Sequence, residues 1–236
     1  MIKCERLTRQ FAPEKGIVDF SAELKEGEIT CILGKNGSGK TTLLNIISGL
    51  NKPDQGSVFF DGKDLWANDN FYLLRKDLSV LPTDSYLYPE LTVKENLEYI
   101  SSIKHRDKNY WKKLKDTVCA LDMESALASS VETLSYGLNR KAHLLAALLS
   151  ELRYIVWDEP HNGIDVMSNQ AINDLLIRCK DNGSAILVTT HIIEITEKIA
   201  DRVIMIDKAR IVKDMNLKDI GRERLYDVFL AAVGET

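Results

Sequence analysis

Residues 34–41, Gly-Lys-Asn-Gly-Ser-Gly-Lys-Thr, combine glycines with an amine and a hydroxyl in one short segment. Glycines permit the backbone conformations that turn successive N–H groups toward a single anion. The amine of Lys40 can reach the outer oxygens of a phosphate chain, and the hydroxyl of Thr41 suits magnesium, which prefers oxygen ligands. The segment therefore predicts a site for a phosphorylated ligand together with a metal ion.

The spacing of this segment fits G-x-x-x-x-G-K-[ST], the pattern of the Walker A phosphate loop. Residues 28–33 before it are β-rich, and residues 40–50 after it have helical spacing. A helix that begins here would turn its positive N-terminal end toward a phosphate. The alternative interpretation is a chance glycine-rich turn, and the strand before the segment and the helix after it argue against that alternative. We expect nucleotide contacts from Gly34, Asn36, Gly37, Ser38, Gly39, Lys40, Thr41 and Thr42.

Two adjacent carboxylates, Asp158 and Glu159, follow the apolar run 154–157. Carboxylates at the end of a buried strand repel each other and are costly to desolvate, so a positive charge is expected beside them. Magnesium held by Thr41 and the nucleotide would supply that charge. Asp158 would then hold the ion through water, and Glu159 would deprotonate the attacking water. The alternative interpretation is an acidic turn that ends at Pro160.

The predicted strands indicate how the chain is organised around these residues. Strand patterns recur at 28–33, 57–60, 78–81, 153–157, 184–190, 203–207 and 209–213. Their alternation with helices predicts an α/β fold with a mostly parallel central sheet. Residues 92 to about 150 break the alternation and have helical periodicity. We expect one domain over residues 1–236, with a core at 1–83 and 151–214, a helical subdomain at 84–150 and a helical tail at 215–236.

The composition argues against several other classes of protein. The 236 residues are 44% hydrophobic and 28% charged, enough for a sizeable core, and the net charge of −4 gives no general attraction to nucleic acid. No apolar run approaches the roughly 18 residues of a membrane span. The four cysteines are far apart and form no C-x-x-C pair, so reduced thiols of a cytosolic protein are expected.

A basic and aromatic segment at 104–116 has two interpretations. It could bind nucleic acid, or Trp111 and Leu114 could face inward while the lysines form a solvated helix face. Asp107 and Asp116 dilute the positive charge, which favours the second interpretation. No direct contact with nucleic acid is therefore expected.

Taken together, the motifs resemble the nucleotide-binding subunits of ATP-binding cassette (ABC) transporters over essentially the whole chain. The segment TLSYGLNRKAHLLAALL is similar to the family signature, with Ser135 and Gly137 matching. The segment HNGID is similar to the D-loop, with Asp165 as its acid, and LVTTH ends at His191, which matches the switch histidine. The segment YPELTVKENL is similar to the one that opens the family's helical subdomain.

The resemblance implies a P-loop NTPase core with N-terminal antiparallel β strands and an inserted α-helical subdomain. It also implies head-to-tail pairing of two such domains, as a homodimer or heterodimer, with each ATP between one Walker A and the Ser135 and Gly137 of the other chain. Lys40, Glu159 and His191 would be catalytic, with ATP and Mg²⁺ as cofactors. A transmembrane permease would be the partner, which places the chain in the cytoplasm on the inner face of the cell membrane, and export is favoured over import.

Three positions need separate treatment within this resemblance. Thr83 stands where the family has glutamine, and it is expected to lie near the magnesium as a shorter ligand that weakens coupling to the helical subdomain. Tyr136 replaces a small glycine of the signature, and the site is expected to work with it. Phe11 lies where the family places an aromatic residue that stacks on adenine, and the alternative is a core aromatic side chain at a strand end.

The segment TDSYLYPELTV carries large side chains in an expected surface loop. Tyr86 and Tyr88 are predicted to be the exposed pair that docks on the permease, because tyrosine offers apolar area with a polar tip. Leu87 and Leu91 have the alternative of covering the subdomain's own core. In the signature region, His143 is predicted to lie on a helix surface.

Two other functions stay open on the sequence. One is a soluble, non-transport ABC ATPase that acts on a ribosome or nucleic acid, although such proteins usually carry tandem cassettes or long coiled-coil insertions. The other is a weakly active half of a heterodimeric ATPase. Thr83 favours that reading, whereas the presence of Lys40, Asp158, Glu159 and His191 opposes it.

Overall fold

A computed structural model of the chain describes residues 1–67, 74, 77–83, 85–103, 110–220 and 224–233. The described part contains two β-sheets. The first is antiparallel and consists of β1 (Ile2–Ala12), β2 (Lys15–Leu24), β4 (Gln55–Phe60) and β5 (Lys63–Asp64), in the order β2-β1-β4-β5. The second consists of β3 (Glu28–Leu33), β6 (Leu78–Leu81), β7 (Tyr154–Asp158), β8 (Ala185–Thr190), β9 (Arg202–Asp207) and β10 (Arg210–Asn216), in the order β10-β9-β3-β8-β7-β6.

The second sheet confirms the predicted, mostly parallel core. Its strands β3, β6, β7, β8 and β9 pair in parallel, and β10 pairs with β9 in antiparallel fashion. Parallel strands bring their carboxyl ends to one edge, where ligands of open α/β sheets bind. The segments that follow β3, β6, β7 and β8 therefore meet at this edge, although they are far apart in sequence.

The helices that the structure describes are α1 (Lys40–Ile47), α2 (Val93–Ile103), α3 (Tyr110–Ala120), α4 (Tyr136–Ala147), α5 (Val166–Asp181), α6 (Ile193–Ile199) and α7 (Leu225–Val233). Helices α2, α3 and α4 lie between β6 and β7 in the chain, where the sequence predicted continuous helical structure. Two short 3₁₀ turns, Ser125–Ala128 and Val131–Thr133, interrupt them. Strand β10 is longer than predicted and overlaps the first residues of the expected helical tail.

Strand β7 shows why the central sheet is apolar on both faces. Tyr154 and Val156 belong to the hydrophobic cluster that includes α1 and the antiparallel sheet. The alternate residues Ile155 and Trp157 belong to the cluster that includes α2, α3, α4 and α5. A parallel sheet covered on both faces needs such a continuous apolar run. Asp158, at the end of this run, is fully buried. Its side-chain carboxylate therefore lies at the C-terminal end of the strand, inside the protein.

The loop before α2 is anchored by polar contacts. Thr92 and Glu95 form a capping box, in which Thr92 N donates to Glu95 Oε2 at 2.8 Å and Glu95 N donates to Thr92 Oγ1 at 3.1 Å. The buried Asn96 accepts from Tyr88 N at 2.8 Å and donates to Tyr88 O at 3.0 Å. Leu87 is buried, so the core alternative is confirmed for this side chain.

The basic segment is described only in part, because residues 104–109 lie outside the described residues. Within α3, Leu114 is buried and Trp111 is half-buried against the same cluster, while Lys112 and Lys115 are exposed. For the described portion, the structure therefore confirms that Trp111 and Leu114 face inward and that these lysines are exposed, while the absence of nucleic-acid contact stays a prediction. Across the described ranges, no helix combines the length and apolar character needed to cross a membrane.

Candidate functional site

The phosphate loop joins β3 to α1 at the carboxyl edge of the central sheet, and it contacts the backbone of Gly16 and Ala209. Gly39 has a φ of 113°, a conformation that favours glycine. A Cβ at Gly39 would overlap the carbonyl oxygen of Gly16 in β2. On the other side, the Ser38 carbonyl accepts from Ala209 N at 3.1 Å. The loop is thus held between β2 and the turn that joins β9 to β10.

This loop presents donor groups that suit a phosphate. Gly39 caps α1 with no side-chain hydrogen bond to the first helical turn. The buried Ser38 hydroxyl has no hydrogen-bond partner among the described residues. Nζ of the buried Lys40 donates to the carbonyl oxygens of Gly34 at 2.9 Å and Lys35 at 3.2 Å. An open helix N-terminus, a hydroxyl and an ammonium are the groups that phosphate oxygens accept from.

The other predicted nucleotide contacts on this segment lie on the same loop and helix. Asn36 and Gly37 are exposed at the loop, and Thr41 and Thr42 belong to the first turn of α1. Because these four residues lie next to Lys40 on one loop and helix turn, they can all contact the same nucleotide. Their individual roles stay predictions.

Asp158 ends β7 as a fully buried carboxylate surrounded by hydroxyl groups. Oδ2 accepts from Thr41 Oγ1 at 2.9 Å and from Thr83 Oγ1. Oδ1 accepts from Thr189 Oγ1. The structure thus brings all three residues predicted for the metal site, Thr41, Asp158 and Thr83, into direct contact.

This donor set fits magnesium. Its side chains contribute only oxygen atoms, which a hard divalent cation prefers. Asp158 makes no ion pair within the described part of the chain, and a buried carboxylate is stable only when it is paired or coordinates a cation. Thr41, Asp158 and Thr83 are therefore the residues that would hold the ion.

Glu159 lies between the other two predicted catalytic residues. Its Oε1 is 3.5 Å from Lys40 Nζ, and its Oε2 is 2.8 Å from His191 Nδ1. The structure therefore brings Lys40, Glu159 and His191 together at the carboxyl edge. The Glu159 backbone has a φ of 46°, and a non-glycine residue in this region carries strain of order 1–3 kcal/mol.

The strained Glu159 peptide is fixed by the next strand. Glu159 N donates to the carbonyl oxygen and to Oγ1 of Thr189, both at 3.1 Å. Sequence reasoning assigned no role to Thr189, which contacts both acids. Its position in LVTTH, two residues before His191, was the available signal, because strand ends share this edge of the sheet.

The signature residues lie at the start of α4, next to the D-loop. Ser135 caps α4, and its Oγ accepts from Leu138 N at 3.4 Å. A Cβ at Gly137 would lie 2.8 Å from the carbonyl oxygen of Gly163, so the signature packs directly on the D-loop. Within the described residues, no hydrogen bond joins Ser135 or Gly137 to the phosphate loop.

The D-loop acid is held by the signature helix. Asp165 Oδ2 is 2.6 Å from Nζ of the buried Lys141, and Asp165 Oδ1 accepts from Ser168 N at 2.9 Å to cap α5. The Lys141 ammonium, with the Ser168 amide, holds the pKa of Asp165 well below its usual range. The ring of Tyr136, the residue that replaces the family glycine, lies against Gly163 and is 63% exposed. The signature and D-loop therefore form one connected surface.

The prediction that His143 lies on a helix surface is wrong. His143 is buried, with Nδ1 2.7 Å from the Asn139 carbonyl and Nε2 3.0 Å from Ser85 Oγ and 3.3 Å from Tyr86 N. Burial lowers the pKa of His143, so the neutral ring can accept from this loop. Helical periodicity could not show it, because the covering residues are far away in sequence.

Phe11 is 62% exposed near the end of β1, so the core-packing alternative is wrong. The Arg9 guanidinium carbon lies 5.4 Å from the Phe11 ring centroid, which is within the range of a cation–π contact. An exposed, laterally supported ring can offer a face to a planar base. The structure leaves adenine stacking as a prediction with a suitable geometry.

Phe11→Ala is expected to weaken ATP binding by roughly 1–3 kcal/mol, as removal of an aromatic platform does for stacked bases. Equilibrium titration of each variant with a fluorescent ATP analogue measures this loss. Phe11→Tyr is the matched control, because it keeps the ring and should keep the affinity. Equal affinity of the Ala variant and the parent would rule out stacking.

Comparison with known proteins places the chain in a family. The family model described as ABC transporter matches residues 17–162, which is more than half of the chain. The ABC transporter ATP-binding protein MJ1023 of Methanocaldococcus jannaschii is 29% identical over 97% of this chain and 82% of its own length. The SkfA peptide export ATP-binding protein SkfE of Bacillus subtilis is 28% identical over 91% of this chain and 89% of its own length.

The chain also matches part of a much longer protein. It is 32% identical to human ATP-binding cassette sub-family A member 13 over 87% of this chain, but it spans only 4% of that protein. What such a long protein does as a whole therefore carries over to this chain only as a proposal.

Solved structures share the fold. An ATP-binding subunit of an ABC transporter superimposes with a TM-score of 0.88 at 24% identity, over 98% of this chain and 99% of that chain. The dimeric cassette MJ0796 gives a TM-score of 0.80 at 26% identity, over 92% of this chain and 99% of that one. Its post-hydrolysis state with ADP and Pi gives a TM-score of 0.78 at the same identity and coverage. The chain belongs to the ABC transporter family and is an ATP-binding, ATP-hydrolysing cassette.

Proposed function

We propose that this chain is one of two ATPase subunits that power a separate transmembrane permease, and that the permease exports its substrate. The observation that carries the ATPase part is the meeting of Lys40, Glu159 and His191 beside the phosphate loop. A separate permease is supported by similarity to SkfE over nearly the full length of both chains, and export is supported by the name of that relative, a peptide export ATP-binding protein. The chain would then lie at the inner face of the membrane, bound through the permease.

The geometry of the site supports a role for each residue. Lys40 binds the outer phosphate oxygens, because its ammonium already lies at the mouth of the loop among carbonyl acceptors. Glu159 accepts the proton of the attacking water, and His191 orients the Glu159 carboxylate through the 2.8 Å contact. Thr41, Asp158 and Thr83 would hold magnesium, which would supply positive charge to the phosphate oxygens.

A second cassette would complete the site. Ser135 and Gly137 lie at the start of a helix whose N-terminal end can face a phosphate, and the family resemblance assigns that phosphate to the ATP of the other chain. The dimeric state of the MJ0796 cassette supports a paired arrangement. In such a dimer each ATP would contact Lys40 of one chain and Ser135 of the other.

A surface suited to the permease lies beside α2. Tyr88 is 48% exposed and Tyr99 is 43% exposed. Their rings pack edge to face with centroids 5.2 Å apart. Tyr86 is 37% exposed, which confirms its predicted exposure, but its hydroxyl donates to the His143 carbonyl at 2.7 Å and is therefore less available to a partner. We therefore assign docking to the pair Tyr88 and Tyr99 rather than to Tyr86 and Tyr88.

Tyr88→Ser combined with Tyr99→Ser is expected to reduce co-purification with the permease at least about fivefold, because aromatic side chains supply much of the binding energy of interfaces. Basal ATP hydrolysis should stay near that of the parent, since neither residue contacts the catalytic groups. The measurement is affinity capture from detergent-solubilised membranes of the native host, followed by quantification of the captured membrane chain. Tyr226→Ser, at a 53% exposed tyrosine on α7, is the matched control.

Undiminished capture by the double variant would remove the docking assignment. The direction of transport has its own test with the assembled transporter in vesicles. ATP-dependent accumulation of a labelled peptide pool in inside-out vesicles supports export. Accumulation only in right-side-out vesicles loaded with ATP would show import instead.

A further inference from the structure

The guanidinium of Arg140, in the second turn of α4, is buried between two strand ends. Its Nη1 donates to the carbonyl oxygens of Pro82 at 3.1 Å and Thr83 at 3.4 Å. Its Nη2 donates to the carbonyl oxygens of Asp158 at 2.8 Å and Glu159 at 3.2 Å. Over the described residues, no carboxylate lies within ion-pair distance of Arg140, so carbonyl groups are its acceptors.

A buried cation without a carboxylate partner is costly, and an apolar side chain would fill this position more cheaply. Arg140 instead constrains the positions of the four carbonyl groups, because the N–H donors of a planar guanidinium hold several acceptors in one fixed arrangement. The bound carbonyls lie at and just after the ends of β6 and β7, which are neighbours in the central sheet. Arg140 thus fixes the spacing between the segment that carries Thr83 and the one that carries both acids.

The most consequential of these carbonyls belongs to Glu159. The Glu159 peptide has the strained φ of 46°. Its N–H is held by Thr189, and its carbonyl accepts from Arg140 and from Asn162 N at 3.1 Å. A strained conformation persists only when its surroundings hold it. Among the groups that hydrogen-bond to the Glu159 peptide, Arg140 is the charged one, and it lies on α4 rather than in the central sheet.

We propose that Arg140 is a positioning residue that sets the geometry of Glu159 from the signature helix, so that a shift of α4 alters hydrolysis within the same chain. The neighbouring Lys141 ties α4 to Asp165 at 2.6 Å, and His143 ties it to Tyr86 N at 3.3 Å. The helix that begins at the signature therefore contacts the segments that follow β6 and β7. This inference rests on the proposed function, in which Glu159 is the base.

The test uses Arg140→Gln and Arg140→Lys in the full-length chain. The kcat of Arg140→Gln should fall about 10- to 100-fold, the loss expected when a catalytic group is misplaced by about 1 Å. The dissociation constant for ATP, measured without magnesium, should change less than about twofold, because Lys40 and the phosphate loop are untouched. Arg140→Lys should recover part of the loss, since one ammonium can reach only some of the four carbonyls. Arg178→Gln, on the exposed face of α5, is the control and should match the parent.

A double-mutant cycle separates positioning from general support of the fold. In single-turnover hydrolysis, Arg140→Gln should cost less than about twofold when Glu159 is already Gln, because the group that it positions is gone. Losses that multiply, or a parental kcat in Arg140→Gln, would overturn the proposal. If Arg140→Gln does not fold, the Lys variant decides: a lowered kcat at unchanged ATP affinity supports the proposal, and a parental kcat contradicts it.

These measurements need no membrane partner. Failure to find a permease would contradict the proposed function and leave the Arg140 result standing. Conversely, a parental kcat in both Arg140 variants would remove the positioning role and leave the permease proposal intact.

Discussion

Glu159→Gln is expected to lower the turnover of ATP at least about 100-fold while ATP binding is retained, because a positioned general base contributes that much or more. The amide keeps the shape of the side chain and one acceptor oxygen, but it cannot take a proton from water. The carboxylate lies 3.5 Å from Lys40 Nζ and 2.8 Å from His191 Nδ1. Its loss therefore removes the negative charge that both of these groups contact. ATP-bound dimers should accumulate as a result.

Steady-state phosphate release and size-exclusion chromatography with Mg-ATP measure the two effects. Glu197→Gln removes an exposed carboxylate on α6 and serves as the control for loss of one negative charge. A Glu159→Gln variant that turns over as fast as the parent would remove Glu159 from its role as base.

The elements that could be predicted from the sequence are those with a local pattern. The phosphate loop needs glycines, Lys40 and Thr41 at fixed spacing, and the apolar run before Asp158 marks a buried parallel strand. The parallel order of strands then places the ends of β3, β7 and β8 at one edge. This arrangement brings together Lys40, Glu159 and His191, which are far apart in sequence and which the family resemblance had assigned to one site.

The contacts made by α4 could not be predicted in the same way. Arg140, Lys141 and His143 lie in a helix whose periodicity predicts only which face is apolar. Each is buried because loops from other parts of the chain cover it, and each is satisfied by a partner that no spacing rule identifies. Buried polar side chains are satisfied by specific tertiary partners, so their roles emerge only from the assembled structure.

Phe11 illustrates the intermediate case. The sequence placed an aromatic residue near a strand end but could not distinguish stacking from core packing. Its exposure of 62% decides against the core, because burial depends on how β1 pairs with its neighbours rather than on the residue itself. Titration of the Phe11 variants with an ATP analogue tests whether adenine covers the ring.

The largest expected effect on the fold of the site comes from Gly39→Ala. Gly39 has a φ of 113°, and a Cβ there would overlap the Gly16 carbonyl oxygen, which is backbone and cannot rotate away. Conformational strain and overlap together should lower the free energy of unfolding by about 3 kcal/mol or more. ATP affinity should fall with it, because the phosphate loop must move away from β2.

Gly37→Ala is the matched control for this change in the same loop. Gly37 also has a positive φ, 81°, but no atom lies within 4 Å of the position of its Cβ. Its substitution should therefore cost only the conformational strain, about 1–2 kcal/mol. Urea unfolding of both variants and the parent, with ATP titration of the folded species, measures the difference. If the two variants lose the same stability, the contact between Gly39 and the Gly16 carbonyl does not constrain the loop, and the β2 hairpin has no part in shaping the phosphate site.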